Sequence, residues 1–393
     1  MNESTFTPGG GQPGGQGPTG LQAVGSVAVR TFAAHQSGYQ SSPQQKPTQT
    51  AHQSMDGHHV NAMAGDRSGD THSHFADYDE LSPEGHFYDP DAEYEPDPEY
   101  AATLAPDAAR QRRERVGPTG RPLPYFPIPG PLTDHGPAKI IAMCNQKGGV
   151  GKTTSTINLG AALAEYGRRV LLVDFDPQGA LSVGLGVNPM ELDLTVYNLL
   201  MERGMSADEV LLKTAVPNMD LLPSNIDLSA AEVQLVSEVA RESTLQRALK
   251  PLMADYDYIV IDCQPSLGLL TVNALTAAHK VIVPLECEFF ALRGVALLTE
   301  TIEKVQERLN PELELDGILA TMYDSRTVHS REVLARVVEA FDDHVYHTVI
   351  GRTVRFPETT VAGEPITTYA SNSVGAAAYR QLAREVLARC HAE

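Results

Sequence analysis

The stretch KIIAMCNQKGGVGKTTSTINLGAALAEY, residues 139–166, decides the fold of this chain. Its first seven letters form a nearly continuous apolar run, which is typical of a strand buried on both faces. Its last fifteen letters, residues 152–166, read as a helix. Because a glycine-rich loop lies between the two, its backbone N–H groups and the helix dipole would face an anion together. The stretch therefore predicts a phosphate-binding loop at the end of a buried strand.

The loop from Lys147 to Thr154 contains the residue types that phosphate binding requires. Glycine has no Cβ to block phosphate oxygens and adopts positive φ values without strain, and it occupies positions 148, 149 and 151 (Gly148, Gly149 and Gly151). Lys152 is placed to reach the β and γ phosphates, and the Thr153 hydroxyl to bind Mg²⁺. We therefore predict ATP and Mg²⁺ as cofactors, with contacts that also include Lys147, Val150 and Thr154.

From residue 138 onward, short apolar runs alternate with longer helical stretches, and this alternation predicts an α/β fold. The expected architecture is a doubly wound, mostly parallel sheet with helices on both faces, in one domain of residues 138–393. The predicted strands are KIIAMCN, RVLLVDFD, MDLLP, YIVID, KVIVPLE, GILATMYD and HTVI. The predicted helices cover residues 152–166, 230–249, 269–278, 295–309, 331–341 and 375–389.

Residues 1–137 differ in composition from the rest of the chain. They consist mainly of Gly, Pro, Gln, Ser, His and acids, so they cannot bury enough apolar surface to offset chain entropy. We predict a disordered arm that contains an acidic block at 56–107 and ends in the Pro-rich linker RPLPYFPIPGP. Two readings of the arm stay open, a solvated spacer and a docking segment for a protein partner.

Charge and cysteine usage limit the classes of function. The formal charge is −20, so the body is not globally basic and any affinity for nucleic acid must come from a local cluster of Arg and Lys. The four cysteines lie far apart without a C-x-x-C pair, and no N-terminal apolar segment resembles a signal peptide. A cytoplasmic location is therefore expected.

Two further strand ends carry acids. Asp174 and Asp176 end the strand RVLLVDFD, and Asp262 ends YIVID. An acid at a strand end is by itself a common turn or cap. After a phosphate loop, Asp262 is instead predicted to hold the Mg²⁺ shell.

The segment KGGVGKTT resembles the deviant Walker motif of the ParA/MinD family, with Gln146 where the ordinary motif has its first glycine. The resemblance covers the chain from about residue 139 to residue 387 and includes the segment DFDPQG. It implies that Lys147 reaches across a two-fold interface to the nucleotide of a second subunit. It also implies that Asp176 orients the attacking water, with Asp174 in support near the metal.

The resemblance implies an ATP hydrolase that is slow and stimulated by a partner. The catalytic residues would be Lys152, Lys147 and Asp176. The residues at the metal site would be Thr153, Asp262 and Asp174. The segment after residue 351 would close over the adenine, which nominates Arg355, Phe356 and Pro357. The residues predicted to bind DNA are Arg326, Arg331, Arg352, Arg380 and Arg384.

The function implied is chromosome or plasmid partition by an ATP-dependent homodimer. The dimer would bind DNA non-specifically on the nucleoid. A ParB-like activator would stimulate its ATP hydrolysis. One alternative is an adaptor that positions a protein cargo through the arm. Another is a MinD-like membrane ATPase, but the sequence ends in ARCHAE rather than in a basic amphipathic tail, so no stable membrane binding is expected.

Overall fold

The structure is a computed structural model that describes residues 116–288 and 291–391. Within these ranges seven strands form a single sheet in the order β3-β4-β2-β5-β1-β6-β7. The strands are β1 (Lys139–Met143), β2 (Val170–Phe175), β3 (Leu212–Lys213), β4 (Met219–Leu222), β5 (Tyr258–Cys263), β6 (Lys280–Glu286) and β7 (Glu314–Thr321). All neighbours pair in parallel except β3 and β4, which are antiparallel. The predicted mostly parallel sheet is confirmed.

Helices cover both faces of this sheet. The α-helices are α1 (Lys152–Glu165), α2 (Ala180–Gly184), α3 (Val196–Met201), α4 (Ala207–Val210), α5 (Leu228–Gln234), α6 (Thr244–Leu249), α7 (Leu269–Ala277), α8 (Ala291–Arg308), α9 (Val328–Phe341), α10 (Arg355–Ala362), α11 (Ile366–Tyr369) and α12 (Val374–His391). Short 3₁₀ turns lie at Pro189–Glu191, Leu235–Ser237, Arg241–Ser243, Lys250–Ala254 and Asp342–His344. None of the helices in the described ranges has the length and apolar character needed to cross a membrane.

The sheet separates two hydrophobic layers. Along β1, Ile140 and Ala142 pack into one layer, whereas Ile141 and Met143 pack into the other. This alternation is the period of two that a strand imposes on its side chains. Helices α1 and α12 lie on the second layer and contact each other. Because β1 is buried on both faces, its end is held rigidly where the phosphate loop begins.

Two predicted elements differ in the structure. The run HTVI, 347–350, is not a strand because the Glu385 carboxylate accepts the backbone N–H groups of His347 and Thr348. The predicted helix 230–249 is broken into α5, two 3₁₀ turns and α6. The break follows from Ala240, whose φ of 54° is left-handed and incompatible with a continuous helix.

Residues 116–137, which we call the strap, lie against the body near the strands' amino ends. Arg121 donates to the backbone carbonyl of Asp342. At the other end of the strap, the Asp257 carboxylate accepts the backbone N–H of Gly136, just before β5. The predicted linker is thus in contact with the body, while the rest of the predicted arm, 1–115, lies outside the described residues. The domain boundary at residue 137 stays a prediction.

Candidate nucleotide site

The phosphate loop follows β1 and leads directly into α1. Gly149 and Gly151 have φ values of 75° and 82°, a left-handed conformation that glycine adopts without strain. Gly151 is the residue that precedes the first turn of α1, and no side chain caps this helix start. The free N–H groups of the first helical turn are therefore available to an anion.

Lys152 is the buried cation of this loop. Lys152 is only 7% exposed, and its Nζ donates a hydrogen bond to the Lys147 carbonyl oxygen at 2.9 Å. Burial lowers the pKa of Lys152, and the nearby Asp262 opposes that shift. The loop thus folds around its own lysine, which is the arrangement a bound phosphate group would complete.

Asp262 ends β5 directly beside the start of α1. Its Oδ2 accepts the Thr153 hydroxyl at 2.7 Å, and its Oδ1 lies 3.4 Å from the Thr156 hydroxyl. Complete burial, and then the charge of Asp174, raise the pKa of Asp262 to about 8. A buried carboxylate whose pKa is raised this far needs a cation before it ionises fully at neutral pH.

The donor set at this point fits magnesium held jointly with phosphate oxygens. In the described residues, no three His, Cys, Asp or Glu side chains are grouped closely enough to hold a metal ion by themselves. Mg²⁺ usually takes only one or two protein oxygens and completes its octahedron with water and substrate phosphates. Thr153 and Asp262 provide such a pair, and the bound ion would supply charge neutralisation for the phosphates.

The two acids of β2 have different surroundings. Asp174 stands opposite Asp262 in the strand register, is fully buried, and accepts two hydrogen bonds from Ser182, one from its N–H and one from its hydroxyl. Burial raises the pKa of Asp174 to about 6 despite these bonds. Asp176 is half-buried and accepts the N–H of Gln178. Asp174 thus anchors the start of α2, and Asp176 is the more exposed carboxylate.

Lys147 lies at the outer side of the loop, and its side chain is 44% exposed. Its Nζ lies 3.0 Å from Glu286 and 2.5 Å from Glu288, and Glu286 also pairs with Arg352 at 3.4 Å. Partial burial disfavours the charged form, but the hydrogen bonds to Glu288 and Glu286 outweigh it and raise the pKa of Lys147. The two lysines of the loop are therefore held by separate partners.

The other predicted site residues lie in two further regions. Phe356 packs against Tyr379 with ring centroids 5.8 Å apart, while Arg355 pairs with Glu358 at the surface of α10, which also contains Pro357. Their role in binding the adenine stays a prediction. The predicted DNA-binding arginines are not in one cluster: Arg326, Arg331 and Arg352 lie at or beyond the end of β7, whereas Arg380 and Arg384 lie on α12.

Several side chains that shape the loop were not predicted from the sequence. Asn145 accepts the Lys147 N–H and donates to the Pro284 carbonyl, and the Thr321 hydroxyl donates to the Val150 carbonyl. The partners of these contacts come from β6, β7 and the segment after β1. The sequence could have indicated some of these residues. Polar residues at the carboxyl ends of parallel strands next to β1 must lie near the loop that follows β1.

Comparison with known proteins places these features in context. A model described as an AAA domain matches residues 138–315. The chain is 69% identical over 274 residues to an uncharacterized protein of Mycobacterium tuberculosis, which covers 70% of this chain and 86% of that protein. It is 49% identical over 251 residues to the chromosome-partitioning ATPase Soj of Treponema pallidum, covering 64% of this chain and 98% of that protein.

A solved structure from Mycobacterium smegmatis, named cobyrinic acid a,c-diamide synthase and holding ADP and magnesium, is also similar. It is 46% identical, covers 65% of this chain and 96% of its own, and superimposes with a TM-score of 0.58.

Proposed function

The chain belongs to the ParA/Soj family of P-loop ATPases, which hydrolyse ATP with Mg²⁺, and from this premise we propose that its ATP-bound form is a homodimer that binds DNA non-specifically. The dimer acts in chromosome or plasmid partition. A ParB-like activator stimulates hydrolysis and thereby releases the DNA. The γ-phosphate then serves as a switch whose loss favours the monomer.

One observation carries this proposal, namely the separation of the two loop lysines. Lys152 is buried and directed into its own loop, whereas Lys147 is exposed at the loop's outer side. A second cation at this position can serve the phosphates of a neighbouring subunit. Its ion pair with Glu288 joins two exposed side chains, and such surface pairs contribute less than about 1 kcal/mol. Glu286 is 13% exposed and would keep Arg352 as a partner if Lys147 moved away.

The arginines near the end of β7 supply the proposed contact with DNA. The side chain of Arg326 is 86% exposed and that of Arg352 is 65% exposed. Both also pair with an acid, Arg326 with Asp324 and Arg352 with Glu286, but they remain largely exposed. Arg380 on α12 is only 18% exposed and is held by Glu165 of α1 and by the Ser371 carbonyl, so it links two helices. We therefore assign phosphate contacts first to Arg326, Arg331 and Arg352, which position a duplex without reading its sequence.

The test is sedimentation with random-sequence duplex in the presence of ATP, of ADP, or without nucleotide. Binding is expected with ATP only and is expected to fall by at least about tenfold when salt is raised from about 50 to 200 mM. The double substitution Arg326→Ala with Arg352→Ala should abolish it. Arg308→Ala is the matched control, because Arg308 is exposed at the far end of α8. DNA binding that is indifferent to nucleotide would remove the proposal.

A second candidate function follows from the name of the Mycobacterium smegmatis structure, a diamide synthase that holds ADP and magnesium. A group transfer that uses a cysteine nucleophile needs a reactive thiolate. Burial raises the pKa of Cys263 and of Cys287, which is opposite to what a thiolate nucleophile requires. We therefore propose hydrolysis, with the protein on the nucleoid in the cytoplasm.

The N-terminal residues form an acidic extension of the chain before the ATPase body. They extend the ATPase body by more than a hundred residues and are acidic over a long stretch. We propose that they contact a protein partner. Removal of residues 1–115 should leave ATP-dependent DNA binding intact and change only the set of proteins recovered with the ATPase.

A further inference from the structure

The Pro-rich run of the strap, residues 121–131, is a sequence feature that the proposed function does not use. Every residue of this run except Tyr125 is a proline or directly precedes one. Proline fixes its own φ near −65°, and the residue before a proline is confined to extended or polyproline II conformations. The sequence therefore restricts the run to an extended chain of the polyproline II type, which has three residues per turn.

Two contacts hold the run against the body, one near each end. Arg121 donates hydrogen bonds to the backbone carbonyls of Asp342 and Val345. Nine residues further on, the Gly130 carbonyl accepts a hydrogen bond of 2.6 Å from the buried Arg168. Because both ends are fixed, the chain between them is held extended along the surface.

The exposure of the run repeats with the period of three that a polyproline II chain imposes. Leu123, Phe126 and Pro129 are half-buried and form the side that lies against the body. The residue before each of these is exposed, and so is the next position in the same register, which gives the row Pro122, Tyr125, Ile128 and Pro131. Tyr125 is 64% exposed and Ile128 is 72% exposed. We call these four residues the proline row.

The chemistry of the proline row specifies the kind of partner that fits it. Proline-rich segments in this conformation dock into grooves lined by aromatic side chains. Binding is favoured because a chain that is already rigid and extended loses little conformational entropy when it is bound. Arg121 is occupied by carbonyl groups of the body, so the prolines and the two large apolar side chains are what the strap offers to a partner.

A second copy of this chain does not fit the proline row. Besides Tyr125, the only aromatic side chain exposed in residues 116–288 and 291–391 is Tyr369. The whole chain contains no Trp. The described surface therefore has no aromatic-lined groove, and the partner must be a different protein.

We propose that the proline row is a docking site for a partner protein that has an aromatic-lined groove. The strap lies near the amino ends of the strands, whereas the phosphate loop follows the carboxyl end of β1. Partner and nucleotide therefore bind at opposite edges of the sheet. The site goes beyond the proposed function, because its occupation requires neither ATP nor DNA.

The test uses purified SH3 and WW domains as probes, because their grooves are lined by aromatic side chains. Each domain is titrated, without nucleotide or DNA, with the full chain and with a free peptide of residues 118–133, and fluorescence anisotropy of the labelled domain measures binding. At least one domain is expected to bind the full chain at least about threefold more tightly than the peptide, because the body already holds the run extended.

Tyr125→Ser combined with Ile128→Ser should weaken binding of that domain to the full chain by at least about tenfold. Val239→Ser is the matched control, because Val239 is 90% exposed and lies outside the strap. This control should bind the domain as the parent does. Both variants should bind Mg²⁺ and ATP as the parent does, which shows that the body is folded.

Three outcomes would each overturn the inference. If no domain binds either the chain or the peptide, the run lacks the chemistry assigned to it. If the full chain binds no more tightly than the peptide, the body does not present the proline row to a partner. If the double variant binds as tightly as the control, the domain contacts another part of the surface.

Discussion

Lys147 and Lys152 are five positions apart in one loop and have opposite surroundings. Lys152 is buried and its pKa is lowered by that burial, whereas Lys147 is exposed and paired with two glutamates. The difference arises because the first turn of α1 directs Lys152 inward, while Lys147 lies where the chain has just left β1. Substitution of the two lysines should therefore affect ATP binding to different extents.

Lys152→Ala should weaken ATP binding by at least about a hundredfold, because a charge-assisted contact to phosphate is lost and the loop loses the side chain it folds around. Lys147→Ala should leave ATP binding by the monomer within about threefold of the parent, since the Lys147 side chain is paired with Glu286 and Glu288 at the outer side of the loop. Calorimetry with Mg²⁺ and ATP measures both. Equal losses in the two variants would contradict the separation of their roles.

The raised pKa of Asp262 predicts a proton release on binding. In the empty site this carboxyl, with a pKa of about 8, is mostly protonated at pH 7, and a bound cation favours the charged form. The proton must therefore leave, so affinity for Mg²⁺ and ATP should rise as pH rises toward 8 and level off above it. Calorimetry at pH 7 in two buffers of different ionisation enthalpy measures the number of protons released on binding.

The control for this experiment is Asp262→Asn, which has no proton to lose. Residual Mg²⁺ and ATP binding by this variant should release less proton than the parent does. An affinity that stays constant as pH rises from 6 to 8, with no proton released on binding, would show that Asp262 is already ionised before the nucleotide binds.

At the scale of elements, α1 lies unusually close to β2. Gly160 in the middle of α1 has no room for a side chain, because an added Cβ would lie 2.6 Å from Leu172 Cδ2 in β2. Leu172 is completely buried and cannot move aside. This close approach positions the start of α1, and hence Thr153, against the strand ends that carry the acids.

Gly160→Ala should destabilise the protein by about 1–3 kcal/mol, although alanine is the better helix former by about 1 kcal/mol. Denaturant unfolding measures the change. The second substitution Leu172→Val should cost less in the Gly160→Ala background than in the parent, because it removes the atom that clashes. Additive effects of the two changes would show that the helix tolerates the methyl group.

At the scale of the whole molecule, the strap joins the two ends of the body. It contacts the chain after α9 through Arg121 and the start of β5 through Asp257. Arg389 of α12 lies in the same region, where it stacks 4.2 Å from the Tyr346 ring centre. We therefore expect the strap to contribute to the free energy of unfolding of the body, even though its composition is that of a linker.

Deletion of residues 1–115 should leave the thermal midpoint unchanged within about 1 °C, whereas deletion of residues 1–137 should lower it by at least about 3 °C, as expected for the loss of about 1–2 kcal/mol. The physical reason is that Asp257 loses its contacts with His135 and Gly136 of the strap, and that the carbonyls of Asp342 and Val345 lose the Arg121 guanidinium as one of their donors. Scanning calorimetry of both truncated proteins measures it. Equal midpoints would show that the strap only rests on the body.

The sequence alone determined the fold class and the phosphate loop, because both depend on local patterns. A strand buried on both faces, a glycine-rich loop and a helix start are encoded in consecutive residues from 139 to 166. Six of the seven predicted strands were found for the same reason. The strand predicted at 347–350 was wrong because Glu385, nearly forty residues away, takes its N–H groups.

Only the tertiary structure decided which residues share an environment. It separated Asp174, held by Ser182, from Asp176, and it paired Lys147 with Glu286 and Glu288 from a strand that lies far along the chain. It also attached the strap to the body through Arg121 and Asp257. Such contacts join residues that are distant in sequence, so their free energies do not appear in any local pattern and arise only when the sheet brings its strand ends together.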